Sequence, residues 1–184
     1  SSASYRLRFG LWPGSPSAAD TPTLIAAALR KRHSSAGDFD LPLALTPANP
    51  TTEPRQGPTA TLVFTFDRPV TSGNAAVTAG TATAGTPTFA GNTMIVPLTG
   101  VANQQYVTVA VIDVVGDGGS GSGSVRIGFL IGDVNQNRVV TVSDLAQVNA
   151  QIAQAVTTSN YLKDVNASGT LTVADKGIAN TQIT

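Results

Sequence analysis

The sequence predicts a mainly β protein that ends in a small duplicated unit. Three observations carry this. The chain of 184 residues has 24 Thr and 18 Gly, and its acids are ten Asp to one Glu (Glu53). Thr, Val and Gly favour strands and turns, whereas the helix-favouring Glu and Lys are scarce. Short runs with apolar alternation, separated by Gly, Asn and Asp, fill the middle of the chain. The last fifty residues contain an internal repeat rich in Asp and Asn.

Composition also excludes functions. Lys+Arg and Asp+Glu are both 11, so the net charge is zero, which argues against a nucleic-acid or polybasic membrane partner. Without Cys there is no thiolate catalysis, disulfide or zinc–thiolate site, and a single His cannot build a multi-histidine metal site. No apolar run is long enough for a membrane span. A start at Ser1 rather than Met fits a secreted mature chain as well as a cloned fragment.

The elements follow in order. In SSASYRLRFGLW (1–12), Tyr5, Leu7, Phe9 and Leu11 share one face and Arg6 and Arg8 the other, which reads as a half-buried strand. Residues 13–20 are a linker by their Pro, Gly and Ser content, so 1–20 form an extended strand and linker. Residues 22–33 fit either a helix begun at Thr21-Pro22 or a buried strand. Arg30-Lys31-Arg32-His33 reads as a solvated, terminating face. From about 39 to 131 the pattern is β: Leu62, Phe64 and Phe66 alternate, and Met94–Leu98 is a strand that Pro97 places at an edge or bulge. Two further strands run from Tyr106 to Val115 and from Ser124 to Ile131. Several short strands punctuated this way predict an immunoglobulin-like β-sandwich over 21–131.

The repeat follows at 132–184. DVNQNRVVTVSDLAQVNAQI (133–152) aligns with DVNASGTLTVADKGIANTQI (164–183), identical at 9 of 20 positions. Oxygen-bearing residues in each copy are spaced as in an EF-hand loop. Positions 1, 3, 5, 9 and 12 are Asp133, Asn135, Asn137, Thr141 and Asp144, then Asp164, Asn166, Ser168, Thr172 and Asp175. Position 7 offers the backbone carbonyls of Val139 and Thr170, and position 8 is apolar (Val140, Leu171). Position 6 calls for a positive φ, which suits Gly169 and not Arg138. All-oxygen ligands point to calcium, two ions in all, whereas zinc prefers His or Cys. The rival reading is that Asp-x-Asn makes Asx-turns ahead of helices.

This segment resembles the dockerin type I duplication of secreted bacterial proteins, over about 131–184. The resemblance implies a helix after each loop, from Leu145 to Ala155 and from Lys176 to Ile183, and a paired α-helical domain. It also implies calcium ligands at Asp133, Asn135, Asn137, Asp144, Asp164, Asn166, Ser168 and Asp175. A cohesin-like partner would be recognised through positions 10 and 11, here Val142-Ser143 and Val173-Ala174. Upstream, HSSAGDFDLPL (33–43), LVFTFDRPV (62–70) and the run from Gly91 to Ala110 resemble the β-module that precedes such repeats.

No enzyme is expected. His33 has only sequence neighbours (Ser34, Ser35, Asp38, Asp40) for a triad, which normally draws on distant segments. GDGGSGSGS (116–124) lacks the Lys and helix of a phosphate loop and reads as flexible. The expectation is a secreted, extracellular, calcium-stabilised structural subunit that self-associates through residues 1–12, with a cohesin-binding module as the alternative.

Overall fold

A computed structural model describes residues 21–183; the N-terminal strand and linker expected over 1–20 lie outside them. The ambiguous run 22–33 resolves as strand. In β1 (Leu24–Arg32), Ala27, Leu29 and Lys31 are buried alternately, and His33 continues the inward series just past its end. That period of two rules out the helical stripe. The alternation was masked in sequence because Ile25, Ala26 and Ala28 are apolar but face outward.

The described residues are mainly β, with two sheets and two α-helices. After β1 come β2 (Asp38–Leu43), β3 (Thr52–Glu53), β4 (Ala60–Phe66), β5 (Val70–Ala79), β6 (Thr83–Ala84), β7 (Thr88–Ala90), β8 (Thr93–Thr99), β9 (Gln105–Gly116) and β10 (Gly119–Phe129). One sheet has the order β2-β1-β4-β8-β6, with β7 also on β8; the other has the order β3-β10-β9-β5. All pairings are antiparallel except β3 with β10. The sheets share one core. Leu29, Leu62, Phe64, Met94 and Val96 of the first and Val107, Val109, Val111 and Ile127 of the second are wholly buried. Each such side chain contributes about 1.5–3 kcal/mol of transfer free energy.

Two expectations change here. Pro97 lies inside a strand flanked on both sides, yet it occupies the gap between β6, which pairs Leu98 and Thr99, and β7, which pairs Thr93 to Ile95. Its carbonyl accepts from Gly85 N at 2.8 Å, so the missing N–H faces that same broken edge, where little is lost. Of the Gly-Ser run read as a flexible loop (116–124), only Asp117-Gly118 make a turn, and 119–124 are the first half of β10. A Cβ on Gly121 would lie 2.0 Å from Pro22 O, and one on Gly123 2.7 Å from Leu24 Cδ2. Glycine is therefore required for residues 22–24 to pass across this strand.

The repeat forms α1 (Val142–Asn149) and α2 (Val173–Thr181), each starting about three residues earlier than expected. The helices pack together over Val134, Val148, Val165 and Ala179, with Ile131, Leu145 and Ile178 around them. Backbone bonds from Gly132 N to Pro54 O (2.9 Å) and from Gln56 N to Val165 O (2.7 Å) tie this unit to the sheets. Among the described residues no helix is long and apolar enough to cross a membrane.

Candidate metal centre

Each copy of the repeat closes the same loop with the same hydrogen bonds. At position 1, Asp133 Oδ1 and Oδ2 accept from the backbone N–H of Asn137 (3.0 Å) and Arg138 (2.9 Å). Asp164 does the same with Ser168 (3.0 Å) and Gly169 (2.8 Å). At position 12, Asp144 accepts from Asn135 N (3.2 Å) and Thr141 N (3.0 Å), and Asp175 from Asn166 N (3.1 Å) and Thr172 N (2.9 Å). The position-12 carboxylate therefore reaches back across its loop to position 3.

The helix starts explain position 12. Thr141 and Thr172 are N-caps, and Asp144 and Asp175 at the third helical position complete capping boxes. Helix therefore begins at position 10, inside the loop. Positions 4 and 6 have positive φ in both copies: Gln136 (+61°) and Arg138 (+72°), then Ala167 (+54°) and Gly169 (+83°). Arg138 was expected not to fit, but it adopts the conformation and reaches out to hydrogen-bond Asn49 Oδ1.

The four Asp side chains at positions 1 and 12 are wholly buried. Burial pushes the Asp133 carboxyl up, reinforced by the Asp144 charge, against the N–H donors of Arg138 and Asn137. Asp164 goes the other way. Burial raises it, but the hydrogen bond from His33, the Gly169 N–H, the electrostatic pull of the His33 ring and the Ser168 N–H together outweigh that and lower it.

The structure brings the loop residues together in this frame. Asn135, Asn137 and Asn166 also form Asx-turns, accepting from Asn137 N (3.0 Å), Val139 N (2.9 Å) and Ser168 N (2.9 Å). The Asx-turn geometry raised as the rival reading thus coexists with the loop. Ser168 Oγ is held near the Thr170 carbonyl (3.1 Å), and Val139 and Thr170 are exposed. The Thr141 and Thr172 hydroxyls each donate to their position-12 carboxylate at 3.2 Å, a capping role. Position 8 is buried in both copies (Val140, Leu171), and Leu171 O accepts from Ala153 N (2.9 Å). Among the described residues no group of three or more His, Asp or Glu side chains could hold a metal. Each loop offers two carboxylates and supplements them with amide, hydroxyl and backbone oxygens, a donor chemistry suited to a hard cation.

Sequence reasoning missed the buried polar cluster beneath the second loop. The run Arg30-Lys31-Arg32-His33, read as a solvated face, is split by strand alternation. Arg30 pairs with Asp40 (2.7 Å) and Arg32 is exposed, whereas Lys31 and His33 are buried. Lys31 Nζ donates to Arg55 O (2.9 Å) and Gln56 O (2.8 Å), and burial lowers its pKa. Arg55 is held by Glu53 through two bonds of 2.7 Å, and it also donates to Phe39 O and Leu29 O. His33 bridges Arg55 Nη1 (3.0 Å) and Asp164 Oδ2 (2.7 Å). Tyr161 stacks on Phe39 at 5.3 Å and lies 5.1 Å from the Arg55 guanidinium. The only sequence signal was a charged residue and a His at alternate positions of a strand that otherwise faces inward.

Fold and loops together define a class: a two-sheet β protein carrying a duplicated Asp-capped loop–helix. Comparison with family models, curated proteins and solved structures gives no match.

Proposed function

We propose that this chain is a secreted, non-catalytic structural subunit: an immunoglobulin-like sandwich joined to a dockerin-like pair of loops that bind two calcium ions. The observation that carries this reading is the pair of loops. Two stretches that share 9 of 20 residues place the same oxygen donors on the same hydrogen-bond frame. Two buried carboxylates per loop would balance one divalent cation. Their remaining lone pairs, with Asn135, Asn137 and the Val139 carbonyl, or Asn166, Ser168 and the Thr170 carbonyl, would complete an irregular oxygen shell. With only two carboxylates per loop, affinity should fall in the weak range that extracellular calcium satisfies. Titration calorimetry on the full chain should give two calcium equivalents, with melting raised by calcium and reset by EDTA. The absence of heat and of a melting shift would end this reading.

Assembly by strand addition has its own support. Gly128 N and Leu130 N donate to Thr51 O (2.9 Å) and Glu53 O (3.2 Å), on the side of β10 away from β9. By the two-residue period, the N–H and C=O groups of Ser124 and Arg126 face the same way. No described strand pairs with β10 there. An edge of this kind can accept an added strand, and segment 5–11 of a neighbouring copy has the alternating apolar sequence to supply one. Deleting residues 1–12 should abolish any sedimenting assembly; assembly that persists removes the idea.

The cohesin-like reading rests on a different observation. Val142 and Val173, at position 10 of each loop, are both 72% exposed, an apolar pair repeated at equivalent places. Loss of cohesin capture on Val142→Asp with Val173→Asp, at saturating calcium, would favour docking over self-assembly.

A further inference from the structure

The two loops differ in what stands behind their first carboxylate. Arg55 can only donate, so His33 Nε2 must accept from it, and the neutral ring then carries its proton on Nδ1. That proton points at Asp164 Oδ2 at 2.7 Å, where both side chains are wholly buried. The Arg55 guanidinium is itself fixed by Glu53 and by the carbonyls of Phe39 and Leu29. Glu53, Arg55, His33 and Asp164 therefore form a rigid buried chain from β3 to the loop. With His33 and Gly169 N on Oδ2, that oxygen has both lone pairs used. Oδ1 accepts from Ser168 N and, at 3.5 Å, from the Ser168 hydroxyl, which can rotate away and free that oxygen for a cation.

The first loop has no buried charged chain of this kind behind it: its Asp133 lies beside the neutral Thr52 hydroxyl, which has no further polar partner. Position 6 tells the same story. A Cβ on Gly169 would stand 2.6 Å from His33 O, so only glycine lets the second loop seat against the sheets. Its counterpart Arg138 is exposed.

We propose that His33 is a positioning residue for the second cation loop: it orients Asp164, so that this loop binds its cation with the β-sheet unit as part of its framework, while the first loop binds without such help. A hydrogen-bonded partner that fixes a ligand's orientation commonly changes metal affinity by about 10–100-fold. The inference rests on the calcium reading above.

The test uses the full chain and calcium chloride. His33→Phe fills the space without a donor; His33→Gln can both donate to Asp164 and accept from Arg55. Calorimetry should show one of two sites weakened by about tenfold or more in His33→Phe, the other unchanged, and recovery in His33→Gln. Should His33→Phe not fold, ring-nitrogen NMR of the wild-type chain carries the test. Nδ1 should be protonated and Nε2 bare, and the His33 signals should move with only one of the two calcium equivalents. Equal weakening of both sites, unchanged sites, or His33 signals indifferent to calcium overturns the proposal. If the wild-type chain takes up no calcium, the parent reading fails first and this inference falls with it.

Discussion

The first and second loops are an experiment in which sequence is nearly held constant and surroundings are changed. Their hydrogen-bond frames match donor for donor, and so do their capping boxes. Buried and exposed positions coincide in all twelve residues except position 6. What differs is contact with the sheets: His33 and the backbone at 33–36 against the second loop, Thr52 and Asn49 against the first. A local sequence pattern thus fixes the loop's own shape, and the rest of the fold decides how firmly each copy is held.

The largest expected effect tests position 6 directly. Gly169→Arg places a Cβ against a backbone carbonyl that cannot move aside cheaply, and adds a positive-φ penalty to the clash. It should destabilise the chain by about 3 kcal/mol or more. Arg138→Gly relieves a left-handed non-glycine residue worth about 1–2 kcal/mol, partly offset by glycine's greater unfolded entropy and the lost bond to Asn49. Its net change should be within about 1 kcal/mol by denaturant unfolding. Comparable losses in the two variants would mean that the loops are held alike.

The next effect should be equal in both copies. Thr141 and Thr172 accept from the second helical N–H at the same 3.2 Å and complete the same capping box. Thr141→Ala and Thr172→Ala should each cost about 1 kcal/mol. A twofold or larger difference between them would show that the sheets reach further into the second loop than its first carboxylate.

How much was legible beforehand follows the same divide. The duplication is a match of the chain with itself at an offset of 31, and the burial of position 8 depends on residues within one loop, so spacing revealed both. The helix starts were readable too, since Thr-x-x-Asp is a capping signature, but the EF-hand frame drew attention to position 12 instead. The contact of His33 with Asp164 spans 131 residues and had no local signal. Glu53 and Arg55 are wholly buried as a pair, and nothing in their spacing marks them as inward-facing. Composition misled at 119–124, where Gly and Ser suggest a loop; only the approach of Pro22 and Leu24 explains why a strand there must be glycine-rich.

The smallest effect concerns protonation of the metal-free chain. Burial and the neighbouring Asp144 hold Asp133 above the usual aspartate value, while His33 and two backbone donors bring Asp164 below it despite its burial. The signs then oppose. Between the ordinary value and its raised folded value, Asp133 binds more protons folded than unfolded, so its contribution to stability declines as pH rises through that window. Asp164 binds fewer protons folded, so its contribution is present above the ordinary value and is lost as pH falls through its lowered folded value. Carboxyl-carbon NMR titration in chelated buffer should therefore find the two first-position aspartates on opposite sides of the unfolded value. His33→Gln should leave Asp164 low, because the donor is replaced, and His33→Phe should raise it. If Asp133 and Asp164 titrate together, the sheets do not distinguish the two loops, and the comparison fails at its root.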